Sequence, residues 1–172
     1  AIYSVRSEVG QHLSSWRPQS DYRNTVSANK KLGGGVLLEL SHEIDYLCWI
    51  FGSIIWVKSY ISKQSDLDLD VEDSANVILG FKSVNESELV VSLNMDFIRQ
   101  NSTRECSVIG ENGSLRWNGI KGNIEHFSKK NLKWEEIYSN STNGDLTYEE
   151  EIKHFISSIE SNNSPCVTGE DG

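Results

Sequence analysis

Residues Gly33–Gly52 read GGGVLLELSHEIDYLCWIFG, and the reading of this stretch decides the fold. From Val36 onward, Val36, Leu40, Ile44, Leu47 and Phe51 recur at three- and four-residue steps. That spacing predicts a helix over 36–50 with one buried stripe. Gly52 stands where such a helix stops. Residues three and four apart share a helix face, so Leu38, His42, Asp45 and Trp49 form a second stripe, with Glu39 beside His42. A carboxylate next to an imidazole sets its tautomer and raises its basicity, which suits a general acid/base. His42, Asp45 and Glu39 are therefore the candidate catalytic residues; the alternative is a surface His–Asp pair at an ordinary helix spacing. Gly33, Gly34 and Gly35 allow close backbone approach and are expected to leave N–H groups free at the positive end of the helix.

Working outward, residues 2–9 (IYSVRSEV) alternate loosely and predict a first strand. Residues 10–34 are polar and loop-like, with Pro18 as a breaker. Within them lies Trp16-Arg17-Pro18-Gln19-Ser20-Asp21-Tyr22-Arg23. Arginine holds a carboxylate or phosphate with two parallel bonds, and Trp and Tyr offer flat faces to a sugar. Trp16, Arg17, Asp21, Tyr22 and Arg23 are the candidate substrate-binding set, with a plain surface loop as the alternative. After the helix, strands are predicted at 54–61, 75–81, 88–98, 104–109, 114–118, 123–128 and 133–138. In the clearest of them, Leu89, Val91, Leu93, Met95 and Phe97 alternate with more polar neighbours and are expected to face the helices. Asn112-Gly113 predicts a tight hairpin. A second helix is expected over about 148–161, capped by Thr147 with Glu150 and carrying Tyr148, Ile152, Phe155 and Ile159 on one face. The layout is α+β, and the sheet face turned away from the helices must be polar or meet a partner.

The chain has 172 residues, one domain's worth, and a net charge of −9. That charge argues against general binding to nucleic acid or anionic membrane. Residues 1–31 nevertheless carry +3, which points to a local anion site or to solvated loop charges. Glu39, His42, Glu43 and Asp45 interrupt the longest apolar stretch, so no membrane span is expected. Cys48, Cys106 and Cys166 are scattered and odd in number, the pattern of a reduced interior rather than a disulfide framework. Several motifs fail, and no metal site is expected. His42-Glu43 begins H-E-x-x-H, but Tyr46 stands where the second His belongs. Asp66, Asp68 and Asp70 resemble a calcium loop, but Val71 and Val77 replace its Gly and Glu. No G-x-G-x-x-G, P-loop or G-x-S-x-G is present.

With these residues in view, GGGVLLELSHEIDYLCWIFG resembles the signature of the Gfo/Idh/MocA oxidoreductases. Val71-Glu72-Asp73, Gly110-Glu111-Asn112-Gly113-Ser114-Leu115 and Thr168-Gly169-Glu170-Asp171-Gly172 are family-like and in order. The resemblance implies a C-terminal domain of the dihydrodipicolinate-reductase-like type, a large, mostly antiparallel open sheet with helices on one face, spanning 1–172. It implies an N-terminal Rossmann domain outside this chain, which binds NAD or NADP, so that the chain alone is inactive. The implied substrate is a sugar, cyclitol or nucleotide sugar undergoing hydroxyl–carbonyl exchange. His42 would move the hydroxyl proton, Asp45 would orient His42 or contact substrate, and Gly33–Gly35 would lie near the nicotinamide. The common pattern places an acid four residues before the His; here that position is Leu38, and Glu39 is three before. The Trp16–Arg23 segment with Ser27-Ala28 and Lys31-Leu32-Gly33 resembles a branch found in bacterial surface-polysaccharide gene sets, which implies an anionic sugar. A cytoplasmic homo-oligomer joined through the open sheet face completes the expectation. The alternatives are a non-catalytic binding or assembly module of the same fold, and an unrelated α+β protein in which His42 is incidental.

Overall fold

The computed structural model describes residues 1–82, 88–140 and 144–169. The chain divides into two compact units, Ala1–Ser139 and Asn140–Gly172. The first is built on one sheet. In chain order its strands are β1 (Ile2–Gly10), β2 (Ile54–Ser62), β3 (Ser74–Lys82), β4 (Glu88–Asp96), β5 (Thr103–Gly110), β6 (Gly113–Asn118), β7 (Asn123–Ser128) and β8 (Trp134–Ser139). Across the sheet the order is β2-β3-β4-β1-β5-β6-β7-β8. Every neighbouring pair is antiparallel except β1 with β4, which run parallel. The fold is therefore α+β with a large, mostly antiparallel sheet, as expected.

Register makes the two faces chemically different. One row crosses Leu79, Val91, Val5 and Val108; the next crosses Val77, Leu93, Ser7, Cys106 and Trp117. Leu79, Val77, Val91, Leu93 and Val5 are buried, and Leu89, Met95 and Phe97 join them. The alternation in β4 thus points inward as predicted, because a period-2 strand cannot bury one set without exposing the other. The opposite face runs Ile78, Ser92, Arg6, Ser107, Arg116 and Glu125 in one row, a polar and charged surface.

The inner face is covered by short helices: α1 (Leu13–Trp16), α2 (Val36–Glu39) and α3 (His42–Phe51). The predicted helix 36–50 is thus two pieces, because Leu40 leaves helical geometry at φ −107°, ψ 21°. The buried stripe survives the break: Val36, Leu40 and Leu47 are buried, with Ile44 and Phe51 packed half-buried beside them. Between α1 and α2 the loop winds through three 3₁₀ turns, Tyr22–Asn24, Val26–Ala28 and Lys30–Leu32. The β5–β6 hairpin turns on Glu111 and Asn112, since Gly110 pairs with Gly113. Gly113 is already strand, and a Cβ there would collide with the Phe127 carbonyl.

The second unit contains α4 (Gly144–Glu160). It begins earlier than predicted, so Thr147 lies inside the helix instead of capping it. Tyr148, Ile152, Phe155 and Ile159 are exposed along it. The tail returns to the helix where the Cys166 N–H donates to His154 Nε2 at 2.9 Å. Glu170–Gly172 lie outside the described residues.

Candidate functional site

The three glycines set the approach to α2. Gly33 and Gly35 take positive φ, 81° and 114°, which favours glycine. A Cβ on Gly34 would collide with the Val26 carbonyl, and one on Gly35 with the Glu72 carboxylate. The N–H groups expected to be free are all used. Gly33 donates to Lys30 O at 3.1 Å, Gly34 to Asn29 O at 3.0 Å, Gly35 to Ser27 O at 3.1 Å and Val36 to Glu72 O at 3.1 Å. Leu37 N–H donates to Glu72 Oε1 at 3.1 Å. The chain's own Glu72 thus occupies the positive end of α2, where free N–H groups were expected. Gly33, Gly34, Leu37, Leu38, Lys30 and Lys63 line part of a cleft of about 590 Å³.

No hydrogen bond or ion pair joins Glu39 to His42 among the described residues. Glu39 Oε2 accepts from Ser27 Oγ at 2.8 Å, which ties α2 to the preceding loop. The break at Leu40 separates the two residues that an unbroken helix would stack. His42 opens α3 with its side chain 50% exposed. Burial of its inner edge lowers its pKa below the ordinary 6.5, the nearby Arg104 cation lowers it further, and Asp45 opposes both. No hydrogen bond joins Asp45 to His42 among the described residues. The nearest carboxylate is instead Glu43, whose Oε1 lies 3.4 Å from His42 Nε2. Arg104 Nε on β5 donates to that same oxygen at 2.7 Å.

Glu43, Arg104 and Glu72 are the residues that sequence reasoning missed. A signal for Glu43 was present: it stands three residues after Leu40 and four before Leu47, on the buried side of α3. Nothing local announces Arg104, which reaches Glu43 only because β5 runs beside β1 beneath the helix.

The Trp16–Arg23 segment is used mostly within the fold. Trp16 packs edge-on against Phe97, ring centroids 5.1 Å apart. Tyr22 is half-buried, and its hydroxyl accepts from the Asp68 N–H at 3.1 Å. Asp21 accepts from the Arg23 backbone at 3.1 Å and pairs with the Arg23 guanidinium at 2.6 Å. That pairing holds the exposed Asp21 carboxyl below its usual range. Trp16, Arg17 and Tyr22 line a small cavity together with Ser27, the residue that bonds Glu39. The Asp66–Asp70 run meets this segment: Asp70 Oδ1 accepts from the Lys30 N–H at 2.6 Å, and Asp68 adds a charge near Arg23. The basic stretch is thus partly balanced in space by acids about forty residues downstream. Asp73 is fully buried and accepts from Gln64 N–H at 2.6 Å, Ser65 N–H at 3.0 Å and Ser65 Oγ at 2.5 Å.

No helix among the described residues is long and apolar enough to cross a membrane. A model of the GFO/IDH/MocA C-terminal domain matches residues 1–116. Comparison with curated proteins found no match. Among solved structures the chain resembles levoglucosan dehydrogenase in complex with NADH, at TM-score 0.77 and 16% identity over 99% of this chain and 52% of that one. It resembles UDP-N-acetylglucosamine 3-dehydrogenase from Acidithiobacillus ferrooxidans at TM-score 0.68 and 12% identity, over 96% of this chain and 47% of that one. It also resembles biliverdin reductase from Synechocystis, in complex with biliverdin and NADP⁺, at TM-score 0.69 and 13% identity over 99% and 50%. The chain spans about half the length of these structures. At such identities the likeness is one of fold, and the family match rests on the residues that build β1 to β6. The chain belongs to the Gfo/Idh/MocA family, as its C-terminal domain.

Proposed function

We propose that this chain is the substrate-facing part of a nicotinamide-dependent oxidoreductase that interconverts a hydroxyl and a carbonyl on a sugar-like molecule. One observation carries the reading. A half-exposed histidine, His42 of the Gly33–Gly52 segment, stands over the buried Glu43 carboxylate, which the partly exposed Arg104 of β5 holds. A ring so placed has one edge in solvent for a substrate and the other beside charges that set its protonation. Asp45 faces solvent beside it, available to a substrate hydroxyl. Trp16, Arg17, Asp21, Tyr22 and Arg23 are the proposed substrate-side segment, with Arg17 the exposed member least engaged by the fold. Sugar dehydrogenases among the structural relatives support the substrate class, and the bound NADH and NADP⁺ of two relatives support the cofactor class.

The residues present do not form a dinucleotide phosphate site. The N–H groups of residues 33–37 are taken, and Glu72 places a carboxylate where a phosphate would sit. Gly33 alone meets open space, enough for contact with a flat ring but not for holding a cofactor. Hydride exchange therefore belongs to a dinucleotide-binding part outside this chain, and the work of this chain is to seat substrate and handle the proton. We place the protein in the reducing cytoplasm, supported by three unpaired cysteines, and assign its polar sheet face to contact with a second copy.

The test uses the full-length protein, screened with nucleotide sugars, sugar acids and cyclitols for a change in nicotinamide absorbance. His42→Asn is expected to lower kcat by roughly 10²- to 10⁴-fold with cofactor affinity unchanged. Turnover equal to wild type would remove His42 from the chemistry. Cofactor binding with no turnover across the whole screen would favour the non-catalytic binding module.

A further inference from the structure

Glu43 is the side chain that ordinary packing does not explain. It lies between Leu40 and Leu47 on the sheet-facing side of α3 and is 0% exposed. Arg104 Nε satisfies Oε1 at 2.7 Å, while Oε2 makes no hydrogen bond among the described residues. Tyr46, one turn along, commits its hydroxyl to Ser7 Oγ at 2.7 Å. Burial pushes the Glu43 carboxyl above its ordinary range, and Arg104, with a smaller contribution from Tyr46, only partly draws it back. Replacing a pair such as Glu43 and Arg104 together by apolar residues of similar size is often neutral or stabilising, so packing alone gives no reason for the carboxylate. A buried, half-satisfied carboxylate needs an explanation.

Its outward neighbour supplies one. The oxygen that Arg104 holds is also the oxygen 3.4 Å from His42 Nε2. Arg104 is itself fixed, with its guanidinium 5.3 Å over the Trp117 ring, and Trp117 packs edge-on against Tyr46 at 5.5 Å. The groups facing His42 are Glu43 and Asp45 from α3 and Arg104 from β5; Tyr46 and Cys106 are neighbours of Glu43.

We propose that Glu43, held by Arg104, is the positioning carboxylate of His42: it keeps the ring proton on Nε2 and leaves Nδ1 to exchange a proton with the substrate hydroxyl. The proposal rests on the oxidoreductase reading of His42 given above. Oxidation of the alcohol would need a nicotinamide held outside this chain to take the hydride as the C–H bond breaks. The O–H bond breaks, its electron pair completes the carbonyl, and the proton goes to Nδ1. The imidazolium so formed faces the Glu43 carboxylate, and the reverse direction returns the same proton. At 3.4 Å the contact is longer than a hydrogen bond, and it tightens when the ring gains charge.

The test needs no substrate. The intact protein is labelled with ¹⁵N and ¹³C at histidine, and the His42 signals are those lost in His42→Asn. Neutral wild-type His42 is expected to carry its proton on Nε2. Glu43→Gln is expected to lower the His42 titration midpoint by about one pH unit and to abolish the tautomer preference, because a nearby opposite charge is removed. Glu43→Asp is expected to restore part of both effects, and Asp45→Asn to leave the tautomer unchanged. A wild-type ring protonated on Nδ1 would overturn the proposal, as would a folded Glu43→Gln with tautomer and midpoint unaltered. If Glu43→Gln does not fold, the wild-type tautomer decides. Failure of the oxidoreductase reading shows separately, as turnover that survives His42→Asn.

Discussion

At the scale of single residues, the glycine turn and the histidine obey different physics and predict different measurements. Gly34 is required by space: any Cβ would strike the Val26 carbonyl, which belongs to the backbone and cannot rotate away. Gly33 is required only by its φ of 81°, with nothing near the place a Cβ would occupy. Gly34→Ala is therefore expected to destabilise by about 1–3 kcal/mol, the range of forced overpacking. Gly33→Asn is expected to cost less than about 1 kcal/mol, since Asn tolerates the left-handed region. Urea unfolding checks both, read as a shift in midpoint at constant slope; equal shifts would show that φ, not the Val26 contact, governs the turn. His42 makes a pH prediction of definite sign. Its folded pKa lies below the ordinary 6.5 because of burial and Arg104. The folded state thus resists a proton that the unfolded chain accepts. The stability linked to His42 is present above pH 6.5 and lost as pH falls through the lower folded value. His42→Asn is expected to flatten unfolding midpoints across that window, and an unchanged slope would place the acid sensitivity elsewhere.

At the scale of elements, the strands and the buried stripe of the helix were legible because they repeat. Leu89 to Met95 alternate without a break, and the sheet buries that face over four strands. Val36, Leu40 and Leu47 share a stripe that survived even the break at Leu40. The site was less legible because its contacts have no period. The Glu39–His42 pairing relied on an unbroken helix, and a single non-helical residue sent Glu39 to Ser27 instead. The free N–H groups relied on nothing else reaching α2, whereas Glu72 arrives from thirty-five residues downstream. Asp73, its neighbour, shows how much such a distant acid can organise. One carboxylate, itself wholly out of water, gathers Gln64 and Ser65 into the turn that leads from β2 toward β3. Asp73→Asn keeps the shape but replaces an acceptor oxygen with a donor that faces other donors. It is expected to lower stability by about 1–3 kcal/mol, the cost of a buried unsatisfied group, and to raise amide exchange at Gln64 and Ser65. Unchanged exchange there would mean that the turn is held by its backbone alone.

At the scale of the whole sheet, the outer face presents two contrasting regions. Its central rows carry Ser92, Asn94, Arg6, Glu8, Ser107 and Glu105, short or charged side chains on a broad surface. Toward one edge, Tyr60, Ile78 and Val90 are exposed; toward the other, the Arg116 guanidinium lies 4.5 Å over the Trp134 ring and pairs with Glu125 at 2.7 Å. An antiparallel sheet can leave one face in water, so the polar centre alone requires no partner. The apolar region at one end and the Trp–Arg region at the other have the composition of an interface, and a symmetric pairing would bring each against the same patch of a second copy. The proposed contact is therefore a two-fold one across β4 and β1, where short side chains let the sheets approach. Ser92→Arg places a second cation directly opposite Arg6 in the β1–β4 register and again opposite its symmetry mate. It is expected to weaken self-association of the full-length protein by tenfold or more, roughly 1.4 kcal/mol, while leaving the monomer's fold intact, because the side chain points away from the core. Light scattering over a concentration series reads the effect, with circular dichroism as the check on folding. A dimer that tolerates Ser92→Arg would move the contact to the sheet edges, and a wild-type monomer at high concentration would leave the outer face a solvated surface.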